Sequence, residues 1–495
     1  MHINFVPLLL SIVIALFTCL GTPAAAAPVE NHDEIYDVII VGGGIAGLTA
    51  AFSLAEYDLL LLEKDQQPGG RAFSGRHHGI SYAKGAEYLG NPETPLKEII
   101  AALGLTLRQI PAPADLIAFS GRLYIGDYSK AQLLISRSSR GEYNRFAATV
   151  LAAYEKYEEI PDLVFNDAVR RLDSITARQW FAENNFSPIY EEIYNVAFRG
   201  LFGANIDEIS ALSVIPELAF DFEDFESLDE DDDLKEEILD TREGTGMYSF
   251  DGGLAEIPLG LARHLGSRLQ TGTTVTEVRR KGEIFEVSCL TAADTRIIYH
   301  ADSVILATPA AITLDIADSV LNLEQRQLLA TIDYAPYATI ALFSNTPLFN
   351  QGFDLAVPDG LLFTDIYDAT WVARHYSDNP KYQEKYITMI YAAPQSYKDI
   401  TLQNLDDETL MKQVLSQLDQ VIPDSSKHVK SWEVTRFRFG YPVMTPGSYQ
   451  RMARLLEIDG DGLFLAGDYL IYPTLEAAAA SGQLAADECI DWLDD

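Results

Sequence analysis

The chain has 495 residues, with 73 Asp and Glu against 36 Lys and Arg, a formal net charge of −37. Hydrophobic residues at 48% and aromatics at 11% exclude a disordered or fibrous chain, and the length suffices for more than one structural unit. Such a negative field repels phosphate backbones and argues against nucleic-acid binding, and 3 Cys without a Cys/His cluster exclude a disulfide scaffold or structural zinc.

Residues 3–20 form an apolar run, followed by Gly-Thr-Pro and Ala24 to Ala27. This pattern predicts an export signal cleaved after Ala27, leaving an exported mature chain that starts near Pro28. Only His2 and the α-amine precede the run, so an uncleaved membrane anchor is the alternative, and membrane association is expected only then. After cleavage Cys289 and Cys489 remain, and an oxidising compartment would allow them to pair.

Asp37–Val41 reads as a buried parallel strand, Leu48–Glu56 as a helix and Asp58–Leu62 as a second strand ending at Glu63-Lys64. Between the first two lies Gly42-Gly43-Gly44-Ile45-Ala46-Gly47. In a strand–glycine turn–helix, Gly42 makes the tight turn, Gly44 admits a pyrophosphate and Gly47 lets helix pack on strand. The helix N-terminus offers free N–H groups to the phosphates, and Glu63 is spaced to accept ribose hydroxyls. Gln67-Pro68-Gly69-Gly70-Arg71-Ala72 then adds a second close backbone approach and a cation.

Ala83-Lys84-Gly85-Ala86-Glu87-Tyr88 follows, with Lys84 expected on the surface; His77 and His78 just before it are read as strand neighbours facing opposite ways. Residues 91–244 are helix-rich in pattern, for example Tyr143–Tyr154, and end in an acidic stretch. Thirteen carboxylates lie between Asp221 and Glu243, offset only by Lys235 and Arg242, which predicts a solvated loop. Further on come Asp251-Gly252-Gly253-Leu254 with Ile257-Pro258, Thr273–Val278 around Val275, and the apolar strand 301–306 with Ala307-Thr308-Pro309. Strand-like runs at Ala338–Phe343 and Tyr386–Tyr391 suggest a second sheet. The chain closes on Gly462–Asp468 and on Leu475-Glu476-Ala477 with Ser481-Gly482.

These segments, in this order, resemble the FAD motifs of the flavin amine oxidase superfamily, which also includes protoporphyrinogen oxidases and carotenoid desaturases. The resemblance implies an α/β fold: a Rossmann-type FAD-binding domain with a discontinuous α+β substrate domain. It assigns 34–90, 245–310 and 433–495 to FAD binding, and 91–244 and 311–432 to the substrate domain. FAD is expected at 1:1, without a covalent link. The residues implied to bind it are Gly42, Gly44, Ile45, Ala46, Gly47, Glu63, Lys64, Gly69, Gly70, Arg71, Gly85, Ala86, Val275, Gly467, Asp468 and Leu475. Val275 would meet adenine through its backbone, Asp468 the ribityl–pyrophosphate stretch, and the helix from Leu475 the flavin N1–C2=O edge. No metal site is expected.

The chain also departs from the family. Gln67 and Ala83 stand where an Arg and an Asp are common, the strand region Tyr337–Asn345 has no Lys, and Thr474 replaces an aromatic residue. Tyr469 and Tyr472 are as readily packing residues as a substrate cage, so no catalytic residue is assigned. The expected activity is FAD-dependent oxidation of a small molecule, with hydride transfer to flavin N5. An amine is the first substrate class; an apolar isoprenoid or polycyclic desaturation substrate is the second. A flavin-binding protein without catalysis is the third reading, and oxygen is the expected acceptor.

Overall fold

The computed structural model describes residues 29–222, 225, 227–229 and 245–494. The proposed export signal and most of the acidic stretch 221–243 lie outside them. Among the described residues no helix is long and apolar enough to cross a membrane.

Two seven-stranded sheets organise the chain. In the first, the strands run in the order Thr273–Lys281, Ile284–Thr291, Arg296–Leu306, Val29–Val41, Leu59–Leu62 and Leu269–Gln270, and Leu463–Leu465 pairs with Arg296–Leu306. Its central pairs are parallel, with Val38–Val41 between Leu59–Leu62 and Ser303–Leu306. These segments read as continuous apolar runs because both faces are covered. Val38, Ile40, Leu59 and Leu61 pack on one side, and Ile39, Val41, Leu60 and Leu62 on the other.

The first helix spans Ile45–Ser53, three residues earlier than the expected Leu48, because Gly44 with extended backbone stands directly at its N-cap. Glycines set how closely its neighbours approach. A Cβ on Gly47 would stand 2.0 Å from the Gly42 carbonyl oxygen, and one on Gly482 would stand 2.1 Å from that of Ala46. The long C-terminal helix Leu475–Asp494 thus rests directly on the first helix. Its Cys489 is buried and its Sγ lies 3.2 Å from the Ser303 hydroxyl; Cys289 is likewise buried and free, so the two are not paired.

The second sheet runs Val429–Pro442, Tyr334–Ser344, Tyr386–Ala392, Asp365–Asp368, Asp354–Ala356, Asp115–Phe119 and Arg122–Ile125. Here the expected boundary at 433 is corrected. Val429–Pro442 pairs along its length with Tyr334–Ser344, so the return to the first sheet comes only at Leu463. The boundary at 91 moves as well, since Leu96, Ile99 and Ile100 of the helix Leu96–Ala102 share the core of Val38 and Ile40. One face of the second sheet, with Ile340, Leu342, Ile366 and Ile390, packs on Leu410, Val414 and Leu418 of the helix Asp407–Val421. The opposite face carries Tyr337, Tyr367, Met389 and Tyr391 and meets Ile80 and Tyr82 of the hairpin Ser74–His77/Ile80–Ala83.

Candidate active site

The glycine turns form a cradle. Gly42, at φ +108°, turns against the Ala307 carbonyl, which a Cβ there would approach to 2.5 Å. No side chain caps the first helix, and a Cβ on Gly44 would meet nothing within 4 Å. The second glycine pair closes over it: the Gly69 N–H donates to the Gly43 carbonyl at 2.8 Å, and a Cβ on Gly70 would stand 3.3 Å from the Gly44 Cα. Glu63, 8% exposed, accepts the Gly43 N–H on Oε2 and the Asp65 N–H on Oε1, each at 2.7 Å. Each carboxylate oxygen keeps a second lone pair for a ribose hydroxyl. An uncapped helix N-terminus opening on empty space beside a fixed buried carboxylate fits a dinucleotide.

The other implied residues fall around this cradle in different ways. Ile45, Ala46 and Gly47 form the first turn of the helix. Lys64 is exposed and pairs with its neighbour Asp65 at 2.8 Å. Val275 lies at a bulge in the strand Thr273–Lys281, whose first N–H donates to the Glu63 carbonyl at 2.9 Å. Arg71 grips Asp468 with both arms, Nη1 to Oδ2 at 2.7 Å and Nη2 to Oδ1 at 2.8 Å, while Nη1 also donates to the Gly440 carbonyl. The bidentate fork fixes Asp468 at the seam between the two sheets. Gly467 donates its N–H to the Ser481 hydroxyl at 2.9 Å. Thr474 acts locally, since its Oγ1 accepts the Ala477 N–H at 3.1 Å and caps the helix beginning at Leu475.

Residues 84–87 bridge the two halves. The Ala86 N–H donates to the Arg71 carbonyl at 2.9 Å, and a Cβ on Gly85 would stand 1.9 Å from that same oxygen. From the second sheet, the Thr339 hydroxyl donates to the Lys84 carbonyl at 2.6 Å, and the Tyr391 hydroxyl to the Gly85 carbonyl at 2.5 Å. Lys84, expected on the surface, is instead a partly buried partner of Glu433, which also accepts from Tyr82. Burial opposes the charge on Glu433, yet these two donors hold it below the usual carboxylate range. His77 and His78 are not strand neighbours: His77 ends its strand with its ring stacked on Phe343 at 3.8 Å, and His78 sits in the turn at φ +49°. Tyr469 and Tyr472 are buried packing residues, and the Tyr472 hydroxyl lies 2.8 Å from both the Ser213 carbonyl and Glu217 Oε1, which share its one proton.

Sequence reasoning missed the sheet face beyond this bridge. Five tyrosines follow one another across it: Tyr88–Tyr367 at 6.2 Å between ring centres, Tyr367–Tyr391 at 4.7 Å, Tyr391–Tyr337 at 6.2 Å and Tyr337–Tyr441 at 5.4 Å. Strand register adds carboxylates to the same face, with Asp354 opposite both Asp115 and Tyr367, and Asp365 opposite Tyr391. The available signal was the alternation in Asp365-Ile366-Tyr367, whose odd positions are polar although the whole strand is buried.

Glu87 sits where bridge and face meet, with Oε2 3.0 Å from the Tyr391 hydroxyl. That hydroxyl has one proton, shared between the Gly85 carbonyl and the Glu87 carboxyl, which both accept from it. Burial, reinforced by Asp368 and eased by Tyr391, pushes Glu87 up to about 7. Since its folded value exceeds the usual 4.5, its contribution to stability is full in acid and is lost as pH rises toward 7. Glu87→Gln, which mimics the protonated form, should remove on the order of 2 kcal/mol of that decline. Melting temperatures measured across this window test it; an unchanged pH slope in the variant would contradict the assignment.

Comparison with known proteins gives a consistent picture. Residues 45–490 match the family described as flavin containing amine oxidoreductase. The flavin-containing amine oxidase A of Canis lupus familiaris is 33% identical over 100 residues, 19% of each chain. The L-amino acid dehydrogenase of Synechocystis sp. is 25% identical over 293 residues, 55% of this chain and 56% of that one. The matched stretches thus span from about a fifth to just over half of these curated relatives. In structure, the cyclohexylamine oxidase from Brevibacterium oxydans IH-35A superposes with a TM-score of 0.71 over 93% of this chain and all of the other, at 18% identity, which shows a shared fold.

Proposed function

The chain belongs to the flavin containing amine oxidoreductase family and is an FAD-dependent oxidoreductase, and we propose that it oxidises amines at the seam between its two sheets. FAD, when bound, supplies the acceptor for the hydride that leaves the carbon next to nitrogen. In this reading the turn Gly42–Gly47, Glu63 and the Gly69–Arg71 turn hold its dinucleotide part. Asp468, neutralised by Arg71, and the Thr474-capped helix from Leu475 border its flavin end. The chain's own contribution is to desolvate the substrate, orient it and carry its charge.

One observation carries the choice of an amine over an apolar desaturation substrate: the five-tyrosine face meets a half-buried carboxyl, Glu87, beside Gly85. An ammonium ion gains from aromatic faces and from a carboxylate, whereas a hydrocarbon would have to desolvate that carboxyl without compensation. The Glu87–Tyr391 pair can also exchange a proton with a bound amine, which must be neutral to lose hydride. The family's common strand Lys is absent from Tyr337–Asn345, so the proton path in this reading runs through Glu87. To test it, the holoprotein is given a soluble dye acceptor and panels of primary amines and isoprenoids. Dye reduction matched by aldehyde and ammonia supports the reading; reduction only with the isoprenoids overturns it in favour of desaturation.

We further propose that the protein acts outside the cytoplasm, on the strength of the apolar run 3–20 and Ala24–Ala27. N-terminal sequencing of the natively produced protein should begin near Pro28. Recovery of Met1 would instead mean an uncleaved anchor.

A further inference from the structure

Between the glycine cradle and the fork of Arg71 on Asp468 stands a tyrosine that belongs to none of the sequence motifs. Tyr334 opens the strand Tyr334–Ser344 and pairs in register with Pro442, close to Gly440, whose carbonyl receives Arg71. Its hydroxyl reaches from the second sheet toward the first, where it accepts the Ala310 N–H at 3.0 Å. Ala310 begins the helix Ala310–Ala317 and follows shortly after Ala307, whose carbonyl oxygen packs against the Gly42 turn. The ring meets Phe439 edge to face with centres 5.3 Å apart, which fixes the aim of the phenol.

A hydroxyl that accepts an N–H still has its own proton to give. Tyr391 has acceptors at 2.5 and 3.0 Å for that proton, and Tyr472 has two at 2.8 Å. Among the described residues the half-buried Tyr334 has none. Asp468 is the nearest charge, but it spends Oδ2 and Oδ1 on the two arms of Arg71 and makes no bond to the phenol. Burial and the Asp468 charge hold the phenol well above its ordinary range, so the proton stays on as a donor. A donor withdrawn from water and left without an acceptor is costly. The space it faces, between the Gly42 turn and Asp468, is where the cradle receives FAD, whose oxygens are acceptors.

We propose that Tyr334 is a further cofactor-binding residue, whose phenol donates to an oxygen of the flavin mononucleotide half of FAD while it accepts from Ala310. One hydroxyl thus ties three parts together: the strand behind the tyrosine face, the helix that follows Ala307, and the cofactor. The inference rests on FAD binding at the cradle and is independent of the choice of an amine.

The test removes the flavin and titrates FAD back into wild type and Tyr334→Phe, following the quenching of flavin fluorescence. AMP, which carries only the adenosine half, is measured beside it as a competitor. Tyr334→Phe should weaken FAD about tenfold or more, as the loss of one hydrogen bond to a polar or charged acceptor predicts, and leave AMP within about twofold. The rise in melting temperature on loading FAD should shrink in step. FAD affinity within about twofold of wild type in the folded variant overturns the contact. An equal loss for FAD and AMP overturns it as well, because the phenol then only keeps the cradle in shape through Ala310. Should Tyr334→Phe not fold, 3-fluorotyrosine placed at position 334 keeps the hydroxyl and decides by its fluorine resonance. That resonance should move when FAD binds and not when AMP binds; an unmoved resonance on FAD loading overturns the proposal.

Discussion

Replacing Gly44 by Asp is expected to give a folded protein that purifies without flavin. Gly44 has φ −73° and ψ 179°, a conformation open to any residue, and its Cβ would point into free space, so the fold has no reason to object. The loss falls on the ligand. A carboxylate about 4 Å from a phosphate charge costs about 4 kcal/mol at an effective dielectric near 20, about a thousandfold in affinity. Gly44→Ala separates the two contributions, because it fills the space without adding charge and should weaken binding less. Flavin absorbance per mole of protein, with a far-ultraviolet dichroism control, reads the outcome. Full flavin in a folded Gly44→Asp variant would move the dinucleotide away from this turn.

The largest effect on stability is expected at Arg199. It is fully buried on the helix Pro188–Phe202 and is held by Asp359 and three carbonyl oxygens. Arg199→Met keeps much of the volume but leaves those acceptors unmatched, a loss of about 3–5 kcal/mol. For a protein of this size that lowers the melting temperature by roughly 3–5 °C. Arg199→Lys should recover less than half, because a single ammonium cannot serve a planar fork's set of acceptors. The next residue, Gly200, lies against Asp365 and accepts from the Tyr337 hydroxyl at 3.4 Å, so the tyrosine face should loosen along with the helix. A melting temperature unchanged in Arg199→Met would show that the contacts add nothing net.

The two halves of the protein differed in how much their residues disclose. The nucleotide cradle was legible because its geometry is local. Gly42, Gly44 and Gly47 lie within six positions, and Glu63 is reached by one strand–helix–strand excursion. Backbone turns that need glycine leave a mark in any sequence. The tyrosine face leaves no such mark. Asp115, Asp354, Asp365 and Tyr391 come together only through cross-strand register between segments far apart in the chain. The same limit explains the misplaced boundary at 433: the alternation in Glu433-Val434-Thr435-Arg436-Phe437 announces a strand, but not that it pairs with Tyr334–Ser344 rather than with the first sheet. Lys84 was misjudged for a related reason, since its partner Glu433 lies on that same distant strand.

Anaerobic reduction of the bound flavin by an amine deuterated at the carbon next to nitrogen tests the central claim most directly. Because the hydride leaves that carbon, the flavin should bleach without oxygen or dye, and more slowly with the deuterated than with the ordinary amine. If every amine leaves the flavin oxidised while an apolar polyene bleaches it, the protein is a desaturase and the tyrosine face does not serve an amine.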